Sequence, residues 1–161
     1  MTHFDRLKNT IVRQTDPHLP KSVQRYGCRA MCLMAIPQFV AGVALSELAI
    51  ESILLHSLEE PDVMGKDWTC GKNEHWLIGE AFRRLQITRA GRQVGWTEEH
   101  IHSIPWEYMI VHWHTRGVDG HYTLFDKTQN EIYDPHDPRQ AGYEIDKIEI
   151  MRKLVYRTWE V

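Results

Sequence analysis

The feature that most constrains this chain is a change of hydrophobic period near residue 90. Before that point apolar residues recur three and four apart, and beyond Gly91 they come in short runs rich in aromatic and β-branched residues. Ile50, Ile53, Leu54 and Leu58 make the buried stripe of a helix that Ser46 can cap. Leu77, Ile78, Ala81, Phe82 and Leu85 make another over 74–86, behind Asn73 as cap and with charges on the opposite face. Runs 108–114, 121–126 and 131–133 read as strands separated by turns that hold Gly or Asn. Runs 145–150 and 154–159 add either two strands or one helical turn and a strand. Helices first and strands second predict an α+β fold, with N-terminal helices packed on a C-terminal antiparallel β-sheet. At 161 residues and 42% hydrophobic, the chain is expected to form a single domain over 1–161.

Within the helical half, Cys28, Met31, Cys32, Ala35 and Ile36 recur at helical spacing, and Pro37 disfavours helical geometry in the residue before it. The spacing predicts a helix over about 26–36 with Cys28 in its first turn. Unpaired N–H groups and the positive end of the helix dipole stabilise negative charge there, which is what a nucleophilic thiol needs. The alternative is that Cys28 is a small hydrophobe in a core helix. Residues 1–20 read as a polar N-terminal extension with a short helix over 4–12 and no assigned chemistry. They lack the apolar run of a signal peptide, and no segment is long and apolar enough to span a membrane, so the expected compartment is the cytoplasm. Three cysteines without a framework spacing fit reduced thiols. A net charge of −3 without basic blocks argues against nucleic-acid and membrane partners.

The stretch from Gly120 to Pro135 reads as a hairpin. With 126–129 as its loop, Phe125 opposes Asn130 and His121 opposes Asp134. Directly opposed side chains share a face with Cβ atoms about 5 Å apart, so the imidazole and the carboxylate fall within hydrogen-bond reach. A carboxylate-oriented base brought to a helix-terminal thiol is the arrangement for nucleophilic catalysis by cysteine.

In their order along the chain, Tyr26-Gly27-Cys28, the strand Met109-Ile110-Val111-His112-Trp113, Gly120-His121-Tyr122 and Tyr133-Asp134-Pro135 resemble the papain-like fold in its compact bacterial form. The similarity is greatest to the bacteriocin-leader (double-glycine) peptidases, and the Tyr-Gly-Cys opening also resembles papain-like proteins of phages and prophage-like plasmids. The resemblance covers residues 24–135. It implies Cys28 as nucleophile, His121 as general base, Asp134 as orienting carboxylate and Gln24 as an oxyanion donor, acting on a peptide or protein substrate without a cofactor. Arg29 stands where the leader peptidases carry glycine, and Gln24 lies closer to the cysteine than their glutamine does.

Three rival readings stay open. Cys70, just before the third helix, is a second candidate nucleophile, whereas Cys32 reads as core. His112 and His114, with His121 or His136 and Asp134, form a candidate mixed N/O metal site, which would make the protein a metal-dependent hydrolase. The remaining alternative is a non-catalytic binding protein that keeps the papain-like fold.

Overall fold

The chain opens with helices and closes with strands, as its periodicity predicts. The computed structural model describes residues 6–7, 9–97, 106–115, 118–128, 130–136 and 149–161. Among the described residues, four helices, α1 (Lys21–Tyr26), α2 (Cys28–Ala41), α3 (Glu47–Ser57) and α4 (His75–Arg84), precede five strands, β1 (Arg89–Thr97), β2 (Tyr108–Thr115), β3 (Val118–Asp126), β4 (Glu131–Tyr133) and β5 (Glu149–Glu160). The strands form one antiparallel sheet in the order β1-β5-β2-β3-β4, so the class is α+β.

Helix α2 is the axis of the core. Every residue from Ala30 to Phe39 is buried, more than the one-sided stripe expected from the spacing, and a helix that is apolar all round belongs inside. It also runs past Pro37, where the predicted helix stops, and closes at Gly42 in the left-handed conformation (φ 72°), whose N–H donates to the Gln38 carbonyl. An interior proline costs roughly 3 kcal/mol. Burying Met34, Ile36 and Phe39 offsets this, at about 1.5–3 kcal/mol per large side chain. Gln38 ties down the far end, its amide donating to the Met34 carbonyl and its Oε1 accepting from Leu45 N.

The other helices follow the stripes, with changes at their ends. Ser46 Oγ accepts from Ala49 N, as a cap should, but Leu58 is exposed and Ser57 is buried in its place. Helix α4 begins at His75 behind Glu74. Asn73 gives no cap, and its amide donates to the Pro61 carbonyl. Of the expected helix over 4–12, Arg6 and Leu7 are helical and Asn9 and Thr10 form a turn, with residues 1–5 and 8 outside the described set. That stretch is no polar extension, because Leu7, Ile11 and Leu19 are buried in the main core.

One face of the sheet, with Tyr108, Ile110, Leu124, Leu154 and Tyr156, joins this core. The other buries Met109, Val111 and Val155, with Trp113 and Phe125 packed against them. Strand β1 has no alternating pattern to announce it and is held by pairing with β5 along its length. Gly91 lets α4 approach, since a Cβ there would lie 2.9 Å from Ile78 Cγ2 and 3.1 Å from the Arg157 carbonyl. The C-terminal runs resolve into the single twelve-residue β5, with 145–148 outside the described residues.

The β3–β4 hairpin differs from the expected register. Asp126 N donates to the Asn130 carbonyl, and the Asp126 carboxylate accepts from Thr128 N, Thr128 Oγ1 and Asn130 N. Phe125 then pairs with Glu131 and Leu124 with Tyr133, leaving Ile132 as the extra residue of a bulge. His121 and Asp134 are therefore not directly opposed. Leu124 and Tyr133 share a face, so Thr123 and Asp134 fall on the other, and His121, two residues along from Thr123, falls there as well.

Candidate active site

Cys28 is the first residue of α2, and Gly27 is the hinge that puts it there. The α1 helix closes with Gly27 N donating to the Val23 carbonyl at 2.8 Å, and a Cβ on Gly27 would lie 2.7 Å from that oxygen and 2.8 Å from Val23 Cγ1. Only glycine fits this junction without displacing Val23. The chain then restarts as α2 with Met31 N donating to the Gly27 carbonyl. The Cys28 N–H, as a first-turn donor, lies before the intrahelical ladder of α2, which opens with Met31 N.

His121 and Asp134 arrive from the sheet. His121 Nε2 lies 2.8 Å from Asp134 Oδ1, and the same oxygen accepts the His136 backbone N–H at 2.9 Å, which holds the carboxylate in place. The Cys28 thiol is the second hydrogen-bond partner of the His121 ring. With Nε2 engaged by Asp134, Nδ1 is the nitrogen left for the sulfur. Both Cys28 and His121 are buried, at 8% and 6% exposure. Burial alone would drive His121 toward its neutral form, but its hydrogen bonds to Asp134 and Cys28 and the charge of the Asp134 carboxylate outweigh it, and the imidazole is pushed up to about 9.

Helix α2 and β3 are joined beside this group, since Cys32 Sγ donates to the Tyr122 carbonyl at 3.5 Å. Cys32 is fully buried, and desolvation holds its thiol well above the ordinary range. Cys70 sits in a short bridge with Met64. Burial, then the Glu74 carboxylate, push its thiol up to about 12 against the opposing charge of Arg29. Among the described residues, Cys28 is the thiol that contacts the His121 imidazole.

Arg29, next to the nucleophile candidate, anchors a cluster that sequence reading did not find. Its Nη2 donates to Glu74 Oε1 at 2.8 Å, and Tyr156 Oη donates to the same oxygen at 2.7 Å. Arg29 Nε also lies 2.8 Å from Glu74 Oε2, in an ion-pair contact too bent to count as a hydrogen bond. The guanidinium sits 5.6 Å from the centre of the Tyr122 ring. Glu74 had the signature of an ordinary first-turn residue, and nothing local marks its partner 45 residues away.

The remaining candidates take other places. Gln24 lies in α1, and its amide Nε2 donates to the Leu19 carbonyl at 2.8 Å, which commits one of its two N–H groups. His112 stacks on Tyr122 with ring centres 4.3 Å apart, against Gly120, and the His114 side chain lies outside what is described. Among the described residues, the donor atoms that converge as a metal site requires are those of Asp16, His18 and Glu47, without the His112 and His121 rings. No helix among them is long and apolar enough to cross a membrane.

No protein-family model, curated protein or solved structure matches this chain.

Proposed function

We propose that this protein is a cytoplasmic thiol hydrolase of papain-like fold that cleaves a peptide or related amide bond through an acyl-enzyme, without a cofactor. The observation that carries this reading is the continuous Cys28–His121–Asp134 chain of contacts at the start of a buried helix. His121 takes the proton of the Cys28 thiol as general base, which frees the sulfur to attack and leaves the ring protonated. Cys28 Sγ attacks the carbonyl carbon, and the Cys28 backbone N–H stabilises the developing oxyanion, with the second N–H of Gln24 as a further donor. The His121 imidazolium then protonates the leaving amine as the C–N bond breaks. Water, activated by the neutral imidazole, hydrolyses the thioester. Asp134 holds the ring so that Nδ1 faces the sulfur throughout. The substrate is a peptide or protein, with neither nucleic acid nor membrane as partner.

The test needs no substrate. Iodoacetamide at pH 6, followed by peptide mapping, should label Cys28 much faster than Cys32 or Cys70, and His121→Ala should slow that labelling sharply. Preferential labelling of Cys70 would move the nucleophile there. Uniformly slow labelling would favour a binding protein built on the same fold.

A further inference from the structure

We infer that Gln14 is a positioning residue of this site, which keeps the Cys28 N–H available as an oxyanion donor by occupying the carbonyl that would otherwise claim it. The inference rests on the thiol-hydrolase reading. In an unbroken helix the Cys28 N–H would donate to the Gln24 carbonyl four residues earlier. Here that carbonyl accepts from Gln14 Nε2 at 2.9 Å. The neighbouring bond of the same series, Gly27 N to the Val23 carbonyl, is made at 2.8 Å. The gap between α1 and α2 takes in the donors of Cys28, Arg29 and Ala30, since α2 makes its first bond from Met31 N to the Gly27 carbonyl; what sets Cys28 apart is that the carbonyl four residues before it is held by a side chain from the N-terminal stretch.

The same stretch holds the other half of the site. Gln14 N donates to the Pro135 carbonyl at 3.2 Å, one residue beyond Asp134, and Tyr133 Oη donates to the Val12 carbonyl at 2.8 Å. Residues 12 to 14 therefore tie the end of β4 and the residue after Asp134 to the turn of α1 that precedes the nucleophile.

The Gln14 side chain does not look chosen for packing. It is 2% exposed, and its Oε1 has no hydrogen-bond partner among the described residues. A methionine of similar length would fill the space without a buried orphan oxygen. What the amide adds is the N–H on Gln24.

That contrast sets the experiment. Gln14→Met removes the side-chain bond, keeps the backbone bond to Pro135, and leaves the Gln24 carbonyl to capture the Cys28 N–H. Two reagents then separate its effects. Iodoacetamide alkylation passes through no oxyanion and reads the thiolate alone. Acylation by p-nitrophenyl acetate does pass through one: the Sγ–C bond forms, p-nitrophenolate leaves with the C–O electron pair, and the displaced thiol proton stays on His121. The expected result is a Gln14→Met protein with an unchanged or higher Tm, alkylation of Cys28 within about twofold of the parent, and acylation slowed by about tenfold or more, part of the 10²–10³ that loss of a whole oxyanion donor costs. Tyr133→Phe, which cuts only the bond to Val12, should slow acylation less. Equal rates with both reagents would overturn the inference, as would a parallel fall in both rates and in Tm, which would make Gln14 merely structural. A Gln14→Met chain that failed to fold would overturn it too, and Tyr133→Phe would still report whether the N-terminal stretch acts on acylation. A parent protein whose Cys28 reacts with neither reagent faster than Cys70 would instead defeat the hydrolase reading itself, and this inference with it.

Discussion

His121 and Asp134 meet at 2.8 Å although no pair of the β3–β4 ladder places them opposite one another. The contact runs diagonally across the end of the hairpin, and the His136 N–H on the same carboxylate oxygen fixes the direction from which Asp134 approaches. A diagonal neighbour lies about 7–8 Å away at the backbone, within reach of an imidazole and a carboxylate together.

This asymmetry predicts unequal mutants. His121→Ala removes both the general acid and the charge beside Cys28, and should lower turnover by about 10³-fold or more with the fold retained by circular dichroism. Asp134→Asn loosens the ring without removing it and should leave partial activity. Equal and mild effects from the two would place both residues outside the site.

The elevated His121 predicts a direction with pH. Its pKa rises from 6.5 to about 9 on folding, so the stability it contributes is fully present below about 6.5 and is lost as pH rises through about 9. In urea titrations across this window, the parent should lose its advantage over His121→Ala, and the imidazolium-dependent rate should fall on the same alkaline limb. A stability difference that stays flat from pH 6 to pH 10 would contradict the assignment.

The Arg29–Glu74–Tyr156 cluster predicts a large stability effect. Glu74→Ala strands the Arg29 charge beside Cys28 and should cost about 3 kcal/mol, the lower part of the range for breaking a buried pair because Arg29 keeps 25% side-chain exposure. Arg29→Met combined with Glu74→Leu should recover most of the loss in chemical denaturation. A loss below about 0.5 kcal/mol for Glu74→Ala would class the pair with surface ion pairs.

Thiol chemistry predicts indifference to metal. Protein purified without added metal should hold less than one ion per chain by elemental analysis and keep its activity in chelator. One tightly held zinc, with activity lost on its removal, would instead support the metal-dependent alternative built on His112 and His114.

Much of the site was legible from local chemistry. Gly27 before Cys28, the apolar spacing after it, and the His-to-Asp interval of one hairpin are short-range signals, and they led to three residues that the fold brings together. The hairpin register was not legible, because the Asp126 carboxylate draws the turn around itself and Ile132 bulges out to enter the core. Nor was the full length of α2, since burial of Leu33 to Phe39 outweighs what Pro37 disfavours locally.

The sequence by itself determined the order of helices and strands, because hydrophobic period is a property of neighbours three, four or two residues apart. Tertiary structure alone decided which distant partners those elements found. It set β5 between β1 and β2, joined Arg29 to Glu74 and Tyr156, and brought Gln14 to the Gln24 and Pro135 carbonyls. Each of these contacts satisfies a charge or a backbone group that burial has removed from water, and which groups become buried is settled only when the whole chain has packed.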